Sequence, residues 1–93
     1  MKAIWRDCVI AESDDTIVVE GNHYFPPGSC VTKYFESSDK HTNCPWKGIA
    51  HYYDVVVSDE RNVAAAWFYP ETKEAANNIR DRVAFWQGIE LVE

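Results

Sequence analysis

Hydrophobic and polar positions alternate loosely with a period near two at the start and the end of this chain, the spacing of half-buried strands, and give way to β-branched and apolar runs between. Between Lys2 and Glu12, Ala3, Trp5, Val9 and Ala11 fall on one side and Ile4 and Ile10 on the other. Asp7-Cys8 interrupts them, which predicts two short strands around a turn or bulge. Ser13-Asp14-Asp15 is a turn cluster. The β-branched run Thr16 to Glu20 predicts a strand paired antiparallel with the one before it, ended by Gly21-Asn22. Tyr24-Phe25 is expected as a short edge strand ahead of Pro26-Pro27, which remove two backbone donors. Ser29 is placed to cap one or two helical turns through Cys30, Val31, Tyr34 and Phe35. Glu36 to Lys40 reads as a polar loop.

The second half carries the strongest signals. Ile49 to Ser58, ending in Val55-Val56-Val57, predicts a strand. Asp59-Glu60-Arg61-Asn62 predicts a hairpin turn, and Val63 to Tyr69 the returning strand, stopped by Pro70. Glu71 to Arg80 predicts the one regular helix, with Thr72 as its cap and Ala75, Ala76 and Ile79 as a narrow apolar stripe. Arg82 to Trp86 and Ile89 to Val92 close the chain as strands. Short strands without helical crossovers predict a mainly β fold, α+β by a strict count. The expected architecture is a single compact domain over residues 1–93: a strongly bent antiparallel sheet or half-barrel with one or two short helices.

Composition narrows the partners. Ninety-three residues suit one domain, and a 14% aromatic content with four Trp supplies much burial per ordered residue. Nine cations are scattered among fifteen anions, a net charge of −6, so no nucleic-acid partner is expected. Cys8, Cys30 and Cys44 are an odd, widely spaced set without a Cys-x-x-Cys pair. They predict free thiols in a reducing cytoplasm rather than a zinc or thioredoxin-like motif. Met1-Lys2 leads directly into strand-like sequence, so no signal peptide is expected. No apolar run is long enough for a bilayer, so no membrane partner is expected either.

The chemistry concentrates between His41 and Tyr53, where Pro45 and Gly48 bracket Trp46 and Lys47 in a bend. Lys47 beside an aromatic wall is a candidate receptor for a small anion, with Gly48 allowing close approach. Cys44 is the candidate nucleophile, since Lys47 and His41 each lie three residues away and a nearby cation or imidazole activates a thiol. Buried, it would instead be a small hydrophobe. Too many rings are present for all to be interior, and the expected binding set is Lys47, Trp46, Tyr52, Trp67, Tyr69 and Tyr24. His23, His41 and His51 match no known metal signature, so no metal and no cofactor are expected. Glu20, Asp39 and Asp54 read as isolated turn and loop carboxylates.

Several of these words together resemble a known family. Thr42-x-Cys44-Pro45-Trp46-Lys47-Gly48, Tyr52, Ala66-Trp67-x-Tyr69-Pro70 and Val83-Ala84-Phe85-Trp86 are similar to the small bacterial proteins called domain of unknown function 427. Tyr24-Phe25-Pro26 and the Glu36-Ser37-Ser38-Asp39 approach resemble it too, and the resemblance covers the whole chain. It implies a compact, bent antiparallel sheet and no established activity. The family's nucleotidyltransferase-like label implies Gly-Ser and then two carboxylates two apart holding divalent metal. Gly28-Ser29 and Asp39 are present, but His41 stands where the second carboxylate belongs.

The residues therefore predict a small-molecule or anion-binding domain with an aromatic pocket around the Cys-Pro-Trp-Lys-Gly turn, with catalysis left open. The alternative is a non-catalytic interaction or homodimerisation module using an aromatic surface and an exposed sheet edge. A weaker third reading is a metal or redox site formed by Cys44 and the histidines.

Overall fold

The computed structural model describes residues 1–93. Nine strands follow in order: β1 (Lys2–Trp5), β2 (Cys8–Glu12), β3 (Ile17–Val19), β4 (Asn22–Tyr24), β5 (Phe35–Cys44), β6 (Gly48–Val57), β7 (Glu60–Phe68), β8 (Val83–Phe85) and β9 (Glu90–Val92). They form three antiparallel sheets ordered β2-β1-β9, β3-β4 and β5-β6-β7-β8, with no closed barrel. The mainly β expectation is met. Single bridges add to them: Ala11 of β2 pairs with Cys30, which lies outside the strands, and Phe25, next to β4, pairs with Val83 of β8. The second is a reciprocal pair of backbone hydrogen bonds of 2.8 and 2.9 Å, so the end of β4 continues onto the edge of β8.

Several local expectations are corrected. β3 pairs with β4, not with the strand before it. Glu20 and Gly21, with φ of 54° and 81°, make the two-residue turn between them, and that tight return outcompetes a longer connection back to β2. Tyr24 and Phe25 are fully buried rather than on an open edge. Glu36 to Lys40 is strand, part of ten-residue β5. Its side chains are mostly exposed, so β5 lacks an apolar alternation, and pairing with β6 defines it instead. The turn after β6 is only Ser58-Asp59, and β7 starts at Glu60.

No α-helix forms. The helical pieces are 3-10 turns at Pro27–Ser29, Thr32–Tyr34 and Glu74–Ile79. Ser29 does not cap a helix; its hydroxyl donates to the Pro26 carbonyl at 2.6 Å. Thr72 does not cap either, but donates to Asn77 Oδ1 at 2.7 Å. Ala76 breaks the last turn with φ −116°, and the Asn77-Asn78 pair that follows favours turns over helix.

Two buried clusters result. The larger contains Ile10, Phe25, Val55 and Phe85, with Ala3, Ala65 and Ala66 among them. The smaller contains Tyr24, Ala50, Tyr69, Ala76, Ile79 and Ala84. Alanines at these contact points let elements approach closely and leave the volume to the rings. Each fully buried Phe or Ile contributes about 1.5–3 kcal/mol. The smaller cluster meets the Lys47 turn through Cys44, which packs against it, and through Tyr69, whose ring centroid lies 5.8 Å from the Lys47 ammonium.

Candidate functional site

The Cys-Pro-Trp-Lys-Gly bend is the connection between β5 and β6. Cys44 pairs with Gly48, leaving Pro45, Trp46 and Lys47 as a three-residue loop. Gly48 is required there twice over. Its φ is +127°, and an added Cβ would stand 2.7 Å from the Glu71 backbone oxygen. The Glu71–Lys73 segment lies directly against the loop, and Lys73 N–H donates to the Lys47 carbonyl at 3.0 Å. The backbone of Lys47 is thereby held against that segment.

That fixation turns the Lys47 side chain inward. Lys47 is the buried charged residue of the fold, 7% exposed. Its ammonium donates to Glu20 Oε1 and forms an ion pair with it. It also lies 5.1 Å from the Trp46 ring centroid and 5.8 Å from that of Tyr69, within cation–π range. Burial alone would lower the Lys47 pKa. The hydrogen bond to Glu20 and the nearby phenols of Tyr24 and Tyr69 more than offset it, and the ammonium is held above its ordinary value. Reciprocally, the hydrogen bond and charge of Lys47 hold the Glu20 carboxyl below the ordinary carboxylate range. Glu20 reaches Lys47 from the tip of the β3–β4 turn, where its left-handed φ is an unfavoured conformation for glutamate.

Lys47 also borders a hollow of about 190 Å³, whose other lining residues are Tyr52, Trp67, Tyr69 and Trp86. Tyr52 and Trp67 are cross-strand partners, with ring centroids 6.5 Å apart. Trp67 meets Trp86 edge-on at 6.0 Å and Tyr24 edge-on at 6.2 Å. Polar contacts fix these walls. The Trp67 indole N–H donates to the Tyr24 hydroxyl at 3.2 Å, and Thr42 and Tyr52 hydroxyls bond at 3.0 Å. Trp86 is placed by an irregularity in β7. Ala64, with φ 51°, accepts from the Trp86 indole at 2.6 Å, and its own N–H is held by Asp54 Oδ1 at 2.8 Å. Lys40 covers the rim, its ammonium 4.9 Å from the Tyr52 centroid and 5.3 Å from that of Trp86. Burial raises the Tyr24 phenol and pushes Tyr69 up to about 12, so both stay neutral near pH 7.

The sequence-derived set is thus largely brought together. Lys47, Tyr52, Trp67 and Tyr69 line one hollow, Tyr24 supports Trp67 from beneath, and Trp46 flanks the ammonium from a partly exposed position. Cys44 is half-buried against the smaller core cluster, outside the hollow's lining. His41 does not turn toward it, but bonds to His51. His23 bonds to Thr16. No three His, Cys, Asp or Glu side chains gather as a metal-holding group.

Glu20, Lys40 and Trp86 complete the arrangement without having been selected as binding residues. Glu20 follows a β-branched run and precedes glycine, a pattern that marks a tight turn but not what its tip touches. Lys40 sits where β5 shifts register between Ser37 and His41. Such a shift leaves no mark in the apolar pattern.

A larger and more apolar hollow of about 460 Å³ lies elsewhere, with Cys30, Phe35, Tyr53, Phe68, Asp81 and Val83 in its wall. Burial pushes the Cys30 thiol up to about 11, which leaves it a poor nucleophile at neutral pH. The smaller hollow is the stronger candidate because charged, hydroxyl and aromatic groups converge on it.

A family profile described as "Domain of unknown function (DUF427)" matches residues 1–93, the whole chain. Comparison with curated proteins gave no match.

Proposed function

The chain belongs to the family of domain of unknown function DUF427, and from that premise we propose that it is a binding domain for a small anionic ligand, taken up at the Lys47 hollow. One observation carries this reading. A nearly buried ammonium is paired with a carboxylate whose side chain is 55% exposed. An incoming carboxylate or phosphate can take the place of Glu20 on Lys47, and Glu20 can return to water at little cost. The flanking groups favour that exchange. Lys47 and Lys40 against Glu20 give the hollow a local excess of positive charge on a chain of net −6. The rings of Tyr52, Trp67 and Trp86 offer faces for a flat or apolar portion beside the anion. At about 190 Å³ the hollow suits a head group, since whole drug-sized ligands occupy roughly 300–1,000 Å³.

The test is a thermal-shift and calorimetric panel of inorganic phosphate, benzoate, nucleotides and sugar phosphates against wild type and Lys47→Met. A ligand of this class stabilises wild type in a concentration-dependent way and leaves Lys47→Met unmoved. Equal shifts in both proteins, or no shift with any anion, would overturn the reading.

The free edge of β5 is the feature that suits self-association. Its register shift near Ser37 and the exposed Glu36, Asp39 and Lys40 side chains are devices that blunt an edge. Sedimentation at rising concentration separates the two readings: a dimer sensitive to β5 substitutions would favour the interaction module.

A further inference from the structure

Ten residues separate His41 from His51, a spacing that belongs to no metal motif. Strand pairing nevertheless sets them directly opposite each other on β5 and β6. Their ring centroids are 4.3 Å apart, and His41 Nε2 lies 3.2 Å from His51 Nδ1. We propose that this cross-strand pair is a chelating site for a divalent transition-metal ion, with His41 Nε2 and His51 Nδ1 as its two protein ligands.

The separation has the right bite. An ion about 2.1 Å from each of two nitrogens 3.2 Å apart subtends roughly 100°, between the right angle of adjacent octahedral positions and the tetrahedral angle. Small rotations of both rings about their Cβ–Cγ bonds turn the two lone pairs from each other toward a shared point.

The surroundings prepare the pair for this role. His41 Nδ1 is 2.9 Å from the Asp39 carbonyl oxygen, an acceptor only, so that nitrogen carries the proton and Nε2 presents its lone pair. A ligating histidine is generally oriented by such a bond through its other nitrogen. His51 then donates its Nδ1 proton to His41 in the metal-free state. On binding, that proton moves to His51 Nε2, both rings stay neutral, and no net proton is released. The Phe68 ring, 5.7 Å from that of His51, limits its motion. His51 also lines an open recess of about 470 Å³ shared with Glu71. This leaves room for water or an exogenous ligand at the remaining coordination positions. The site is separate from the Lys47 hollow, and its fate does not decide that of the anion reading.

Titration of the full chain with Ni²⁺, Cu²⁺ and Zn²⁺, followed by calorimetry and by the imidazole proton resonances, tests the assignment. The expected result is one ion per chain. Cu²⁺ should bind most tightly, with His41 and His51 signals shifting or broadening first. His41→Ala and His51→Gln should each weaken binding by at least about tenfold, while His23→Ala leaves it unchanged. His41 is exposed, so its variant keeps the fold even if His51→Gln does not. The proposal falls if no ion binds, if His41→Ala binds as wild type does, or if blocking the three thiols removes the binding.

Discussion

Lys47 and Glu20 share one ion pair but not one environment: the ammonium is enclosed by rings, while the carboxylate stands mostly in water. The pair therefore stabilises the fold unequally through its two members. Removing Glu20 leaves an uncompensated buried charge, whereas removing Lys47 leaves a carboxylate that is already hydrated. Glu20→Ala should lower the Tm more than Lys47→Met does, although the lysine is the more buried residue. Adding Lys47→Met to Glu20→Ala should recover most of the loss. Equal effects of the two single substitutions would show that water reaches Lys47 freely. Parallel thermal melts of the three variants decide the matter.

The pH profile follows from the same groups. The folded Glu20 carboxyl is depressed below 4.5 by the Lys47 hydrogen bond and charge. Its contribution is complete above about pH 4.5 and is lost as pH falls through the lower folded value. Tyr69 is raised by burial from 10.0 to about 12. Its contribution is complete below about pH 10 and is lost as pH climbs toward 12, and Tyr24 and Lys47, both also raised, act in the same direction. Denaturation at fixed temperature should show a plateau between these limbs. Tyr69→Phe should weaken the alkaline limb and leave the acid limb in place. An unchanged alkaline limb in that variant would assign the loss to other groups.

Gly48→Ala tests the steric account of the turn. The new Cβ would meet the Glu71 carbonyl oxygen at 2.7 Å on a backbone with φ +127°. Strain and crowding together cost about 2–4 kcal/mol, which lowers the Tm of a domain this size by roughly 10–20 °C. Gly28→Ala is the control, because nothing lies within 4 Å of its added Cβ. Similar melting temperatures for the two variants would mean that the Glu71–Lys73 segment yields easily.

How much of this was legible in the sequence depended on what each position contacts. Period two was legible wherever a strand buries one face. Tyr52 and Trp67 fall on the side of the Lys47 hollow, and Tyr53 falls on the other, stacked on Phe68 at 4.8 Å. β5 was invisible because its side chains are mostly solvated and its pairing is backbone to backbone. Glu71–Arg80 does not form the expected helix, because the helix propensity of Ala75 and Ala76 is overridden by Asn77-Asn78 and the kink at Ala76. Within the hollow, Lys47 and its rings stood in recognisable words. Its counter-ion did not, since Glu20 is twenty-seven residues away and arrives only through the fold of the β3–β4 turn. The His41–His51 pair is a similar case, created by register alone.

Tyr24 and Trp67 give the most direct test of whether the hollow's wall is built by hydrogen bonding or by packing alone. Tyr24 is fully buried, and its hydroxyl accepts from the half-buried Trp67 indole at 3.2 Å. Tyr24→Phe keeps the ring and the edge-on contact but removes the acceptor. The indole N–H then has only what water can reach it, and the cost should be about 1–2 kcal/mol. Trp67→Phe removes the donor and narrows the wall as well, so it should cost more. If the hydrogen bond is what couples the two residues, adding Tyr24→Phe to Trp67→Phe should lose clearly less than the sum of the single losses. Strict additivity would assign the wall to packing. The same pair bears on binding, because Trp67 stands between Tyr52 and Trp86. Tyr24→Phe should therefore weaken the anion-dependent thermal shift without abolishing it, whereas Lys47→Met abolishes it, and the contrast separates the residue that holds the wall from the residue that receives the charge.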